Sequence, residues 1–133
     1  MFCGESGTAK TVTVKSAFSS LDSEKFMFLN INFSSRTSSL DFQNIIEENI
    51  DKRTFKNYGP KASGKKMIIF IDDMNMPKRD PYDTQNAISL LRQHKDYEHW
   101  YDKSKLSLKD ITNTQLVAAM NPTAGSFVVE NRL

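Results

Sequence analysis

The run "MIIFI" at 67–71, closed at once by Asp72 and Asp73, constrains the fold of this chain more than any other segment. Five consecutive apolar residues without alternation describe a β-strand buried on both faces. The segments around it repeat the strand–helix theme. Residues Met1 to Cys3 read as the stub of a strand. From Lys10 to about Leu21, Val14, Phe18 and Leu21 recur at helical spacing. "FMFLNINF" (26–33) alternates, with Met27, Leu29, Ile31 and Phe33 on one face of a strand. "SSLDFQNIIEENI" (38–50) carries a serine cap, early acids and an apolar side of Phe42, Ile46 and Ile50, which predicts a helix. Thr84 to about Tyr97 gives a further helix with Ala87, Ile88, Leu91 and His94 on one side. "HWYDKSKLSLKDI" (99–111) predicts a hairpin turning near Lys103 to Lys105, and "QLVAAM" (115–120) another buried strand. The alternation points to an α/β fold, a mostly parallel sheet flanked by helices.

A glycine-containing loop precedes the first helix. "CGESGTAKTV" (3–12) follows the phosphate-loop pattern G-x-x-x-x-G-K-[ST], with Gly4, Lys10 and Thr11 in place and Ala9 at the second glycine. Such a loop aims consecutive backbone N–H groups at an anion just ahead of a helix N-terminus, where the helix dipole adds positive charge. Here Gly4, Glu5, Ser6, Gly7, Thr8 and Ala9 would form the cradle. Lys10 would reach the outer phosphates, and the Thr11 hydroxyl would ligate magnesium. Alanine keeps its N–H and loses only tolerance for positive φ. It costs on the order of 1 kcal/mol if the loop needs that geometry, and nothing otherwise. The competing reading of these ten residues is a glycine-rich turn before a surface helix.

Asp72 and Asp73 give that loop a partner. In open α/β sheets ligands gather at the carboxyl ends of strands, where both elements would lie. Asp72 would hold the magnesium through water and Asp73 would orient or deprotonate an attacking water. The alternative is a pair of solvated acids. Asn121, closing the 115–120 strand, would add an amide to hydrogen-bond the γ-phosphate or that water. Taken alone, Asn121-Pro122 is an ordinary turn signal.

Other chemistries find less support. G-x-S-x-G would need glycine where Thr8 stands. His94 and His99 are five apart rather than four, and no cysteine pair exists for a metal. "DDMNMPKRD" lacks the glycine and terminal glutamate of a calcium loop. Residues 52–66 hold six basic side chains and no acid and read as an exposed loop; gripping a nucleic acid is the less favoured reading. Net charge is only +2, which argues against a dedicated nucleic-acid binder. With 133 residues there is room for one domain with its own core. The longest apolar run is too short to cross a membrane. No secretory signal is legible, the Asn32-Phe33-Ser34 sequon lies in a strand, and the single Cys3 excludes an internal disulfide and fits a reducing compartment.

Together "GESGTAKT", "LNINFSSRTSS", "IEENIDKRTFKNYGP", "IIFIDDMNMP" and "VAAMNPTAGSF" resemble a nucleotide-binding AAA+ module of dynein heavy chains, the third of the motor ring. The resemblance implies a P-loop NTPase (AAA+) large subdomain over 1–133, running from Walker A (Gly4 to Thr11) through Walker B (Asp72, Asp73) to just past sensor I (Asn121). The hairpin near 99–111 would match an insert before the sensor strand. It further implies ATP/ADP and Mg²⁺ as cofactors, and neighbouring AAA+ modules of the same heavy chain as partners. Through the parent it implies microtubules and dynein intermediate and light chains, with neither nucleic acid nor membrane. The implied location is cytoplasmic and cytoskeletal, and "KNYGP" and "HWYD" lean towards the axoneme of a cilium.

Glutamate is common in the second acidic place of such sites generally, whereas the paired aspartates, like Ala9 before the lysine, resemble this dynein module. Aspartate is shorter by one C–C bond, ~1.5 Å, which would slow hydrolysis and leave binding intact. The parent would bind and hydrolyse MgATP to drive or gate movement. The alternative is a regulatory or structural nucleotide-binding module, or a non-functional fragment, with little turnover of its own. The resemblance also implies a fragment incomplete at both ends: the first strand is a stub, and no position matches an arginine finger, a sensor II or the lid, Arg132 standing just ahead of where the finger would fall.

Overall fold

Strand β5 (Lys66–Asp72) lies inside a four-stranded, wholly parallel sheet of order β1-β8-β5-β2, where β1 is Phe2–Cys3, β2 is Phe26–Asn32 and β8 is Thr114–Met120. The structure is a computed structural model that describes residues 1–5, 8–82, 84–102 and 105–122. Residues 67–71 are all buried, as a strand covered on both faces must be. The chain crosses from β1 to the far edge at β2 through helix α1 (Lys10–Ser19). It then steps back to β5 through α2 (Ser39–Glu47) and to β8 through α3 (Asn86–Tyr97). Right-handed crossovers that travel in opposite directions place their helices on opposite faces.

The packing follows that rule. Val14 and Phe18 of α1 pack with Phe70, Val117 and Ala119 on one face, Phe18 stacking on Phe28 at 5.0 Å and meeting Phe70 edge-on at 6.0 Å. On the other face Met67, Ile69 and Ile71 join Ile31, Phe42, Ile46 and Leu91 in the main core. Each such fully buried side chain contributes about 1.5–3 kcal/mol.

Local signals set the helix boundaries. Ser38 caps α2: its hydroxyl accepts from the Asp41 N–H at 3.1 Å, and the Asp41 carboxylate accepts from the Ser38 N–H at 3.0 Å, a complete capping box. These bonds, backbone first, hold the Asp41 carboxyl below the ordinary aspartate value. Helix α2 ends at Glu47, so Ile50 is not on the helix face expected for it; it opens strand β3 (Ile50–Lys52) and is buried there. Likewise α1 stops at Ser19, two residues short of Leu21.

The larger departure from expectation lies at 52–66. Instead of a loop, Asn57–Pro60 forms β4, antiparallel to β3. The expected hairpin is present as β6 (His99–Tyr101) and β7 (Leu108–Ile111); Lys103 and Ser104 at its turn lie outside the described residues. Strands β4 and β7 pair in parallel, Asn57 with Asp110 and Tyr58 with Ile111, so the two hairpins make one second sheet of order β3-β4-β7-β6. Because β4 and β7 run the same way, both hairpin turns sit at the same end of that sheet.

The second sheet is tied to α2 by a buried polar cluster. Lys109 Nζ lies 2.8 Å from both Glu47 Oε2 and Asp102 Oδ2, and 5.3 Å from the centre of the Tyr58 ring. Glu47 Oε1 also accepts from Gln43 at 2.8 Å and from the Trp100 indole at 3.2 Å. Burial alone would pull the Lys109 ammonium down; the hydrogen bonds and charges of Asp102 and Glu47 outweigh it and hold the group above its ordinary value. Trp100, fully buried, meets Phe42 and His94 on its other sides. Strand β8 is less buried than its apolar sequence suggests, since only Ala119 is fully enclosed.

Candidate functional site

The carboxyl ends of β1, β5 and β8 converge, as parallel strands in this order require, and the loop leaving β1 runs straight into α1. The N-cap of that helix, Ala9, supplies no side-chain cap and no acid stands in the first turn, which leaves the helix's first N–H groups and the positive end of its dipole available to an anion. Ala9 adopts φ 56° and ψ 21°, so the loop does use the left-handed geometry, and alanine there costs on the order of 1 kcal/mol relative to an unstrained position. Gly4 is required for space instead. A Cβ added to it would meet Thr8 Oγ1 at 2.9 Å.

Lys10 organises the loop. Its Nζ donates to the carbonyls of Gly4 at 2.6 Å and Glu5 at 2.7 Å, and to Thr8 Oγ1 at 3.2 Å. Thr8 Oγ1 in turn donates to the Glu5 carbonyl at 2.8 Å. The ammonium is thus folded onto the loop backbone rather than extended away from it. Ser6 and Gly7 lie outside the described residues.

One residue further, the Thr11 hydroxyl donates to Asp72 Oδ2 at 2.7 Å. The hydroxyl and the carboxylate that the sequence assigns to one cation therefore touch. A cavity of about 270 Å³ opens beside them, walled by Thr8 to Val12 on one side and by Asp72, Asp73 and Asn121 on the other.

Asp73 sits just past the strand in a left-handed turn, φ 53°, closed by a 2.9 Å hydrogen bond from the Met76 N–H to its carbonyl. Aspartate tolerates that conformation better than most side chains. Partial desolvation first, and the neighbouring Asp72 carboxylate second, push its carboxyl above the ordinary value, against a smaller pull from Lys10. A raised carboxyl is a better proton acceptor than an ordinary one.

Asn121 follows β8, and its carbonyl accepts from the buried Asn75 side chain at 2.7 Å. Asn75 was absent from the sequence-based site. Its partner is a main-chain oxygen, which leaves no side-chain signature; the only hint was a polar residue inside the otherwise apolar "MNMP" stretch.

The donor set suits a polyphosphate with a hard divalent cation. Hydroxyl and carboxylate oxygens are magnesium ligands, and magnesium takes few protein ligands, filling its sphere with phosphate and water. Among the described residues no three His, Cys, Asp or Glu side chains cluster in a way that could hold a metal. A second cavity of about 270 Å³, lined by His94, Lys95, Glu98 and the start of β8, offers neither a loop of N–H donors nor a carboxylate pair. No helix among the described residues is long and apolar enough to cross a membrane.

Comparison with known proteins agrees with this architecture. Residues 1–133 match the family described as the P-loop containing dynein motor region. The chain is 50% identical over 133 residues to dynein axonemal heavy chain 9 of Homo sapiens. It is 45% identical to the flagellar outer arm dynein beta chain of Chlamydomonas reinhardtii and 46% to the ciliary dynein beta chain of Tripneustes gratilla. In each case all of this chain is covered, and it spans 3% of the relative's length. With a family match over its whole length, an α/β parallel sheet and a lysine loop meeting an acidic strand end, the chain belongs to the P-loop dynein motor region family.

Proposed function

We propose that this chain is a nucleotide-binding AAA+ module, the large-subdomain part of the third module of an axonemal dynein-type motor ring, and that it binds ATP and ADP with Mg²⁺. The observation that carries the reading is the 2.7 Å hydrogen bond from Thr11 to Asp72, which joins the lysine loop to the acidic strand end beside the cavity. Magnesium, when bound, supplies charge neutralisation on the phosphate oxygens. Thr11 and Asp72 would hold it, and the loop from Gly4 to Ala9, with the α1 N-terminus, would cradle the phosphates. Lys10 would exchange its carbonyl partners for phosphate oxygens.

Asp73 takes the role of base or water-orienting residue, for which its raised carboxyl suits it. Asn121 hydrogen-bonds the terminal phosphate or the water. In the parent motor this chemistry would drive or gate movement along microtubules in the axoneme, alongside neighbouring modules and the intermediate and light chains.

Calorimetric titration tests the reading. Lys10→Ala should abolish measurable ATP binding, and Asp73→Asn should bind normally and lose hydrolysis. Unchanged ATP affinity in Lys10→Ala defeats the loop assignment, and retained turnover in Asp73→Asn defeats the base assignment.

A further inference from the structure

The ladder between β5 and β8 ends in register at Ile71 and Ala118. The two chains nevertheless stay joined beyond it. The Met74 N–H donates to the Ala119 carbonyl at 3.1 Å, and Asn75 Nδ2 donates to the Asn121 carbonyl at 2.7 Å. The first bond is main chain to main chain and survives most substitutions. The second depends on one side chain, and that side chain is 1% exposed although Asp73, two residues earlier, is open to solvent. Between the end of the ladder and these contacts the backbone makes the left-handed turn at Asp73. Asn75 therefore joins the segment carrying the acid pair to the residue that closes the sensor strand.

Resting on the nucleotide reading above, we propose that Asn75 is a positioning residue: through its bond to the Asn121 carbonyl it fixes Asn121 relative to Asp73, and so sets how strongly the module prefers ATP to ADP. The two nucleotides differ only in the terminal phosphate, the part that Asn121 and Asp73 face in that reading. An amide that reads a phosphate oxygen must be held to within about 0.5 Å and 10–20° of its working geometry, since hydrogen bonds weaken steeply with angle. Asn121 lies one residue past β8, beyond the last ladder pairs that β8 makes with β1 and β5. The buried Asn75 amide ties the Asn121 carbonyl to the segment that carries the acid pair. Lys10, Thr11 and the loop, which serve both nucleotides, lie on the other side of the cavity.

The test compares binding of MgADP with binding of Mg-AMPPNP, a non-hydrolysable ATP analogue, by calorimetry on the full chain. Asn75→Ala should hold ADP affinity within about twofold and weaken the analogue about tenfold, the loss typical of one misplaced hydrogen bond to a charged group. Asn121→Ala should behave alike, and the double variant should be no worse than either single one. Equal losses for both nucleotides would show a scaffold role only and overturn the proposal, as would additive losses in the double variant. Asn75→Leu keeps the shape without the donor and is read identically should Asn75→Ala prove unfolded by circular dichroism. If the unsubstituted chain binds neither nucleotide, the nucleotide reading falls and this proposal with it; binding with an unchanged ratio in Asn75→Ala overturns this proposal alone.

Discussion

Thr11 and Asp72, 61 positions apart in sequence, meet through a 2.7 Å hydrogen bond that fastens the start of α1 to the end of β5. The pair is half-buried, so its net contribution to folding is about 1 kcal/mol. Its larger effect should appear in binding. Thr11→Val keeps the shape, removes the hydroxyl, and should lower nucleotide affinity roughly tenfold in magnesium, one hydrogen bond to a charged group. In excess EDTA the variant and the unsubstituted chain should bind alike. Titration under both conditions decides it; equal affinities in magnesium would separate this hydroxyl from the cation.

Ala9 offers a gain. Its left-handed backbone favours glycine in the folded chain, while glycine loses more entropy on folding, so the two effects partly cancel. Ala9→Gly should stabilise the chain by up to about 1 kcal/mol in urea denaturation. A destabilised variant would mean that φ at this position is relaxed in solution.

Lys109 makes the opposite case. Removing the charge between Glu47 and Asp102 leaves two mostly buried carboxylates without their shared cation, so Lys109→Met should cost about 3 kcal/mol. Glu47→Gln, which keeps one acceptor oxygen for Gln43 and Trp100 and leaves Lys109 paired with Asp102, should cost less. The midpoint of urea unfolding measures both, and a Lys109→Met protein of ordinary stability would show that the cluster is solvated.

His94 gives the chain an acid-sensitive point. Burial depresses its imidazole, with Glu98 opposing in part, and its Nε2 lies 3.1 Å from Thr114 Oγ1. A depressed folded-state value means the unfolded chain takes up the proton first. The stabilisation is complete above about pH 6.5, the ordinary imidazole value, and is lost as pH falls through the lower folded value. Melting temperatures between pH 7.5 and 5 should fall more steeply for the unsubstituted chain than for His94→Gln. Parallel curves would mean that the ring titrates normally.

What could be read in advance was what neighbours in sequence determine. The capping box needs only Ser38 and Asp41, three residues apart, and the double burial of β5 only a run of five apolar residues. The second sheet needs Tyr58 to find Ile111, and nothing in "KRTFKNYGPKASGKK" marks it as half of a parallel pair. Its charges and glycines argue for a loop, and tertiary pairing overrides them. Lys10, Thr11, Asp72, Asp73 and Asn121, singled out in the sequence because phosphate and cation chemistry restricts residue type, line one cavity. The left-handed backbone at Ala9 and Asp73 was not legible, because neither residue type demands it.

The parallel seam between β4 and β7 has a mechanical consequence. Each hairpin interrupts a different crossover, one between α2 and β5 and the other between α3 and β8, and the seam welds them into a single plate. A shift of either crossover is then carried to the other without passing through the main sheet. Amide protons of Tyr58 and Gly59 and of residues 108–111 should accordingly exchange with solvent as one cooperative unit.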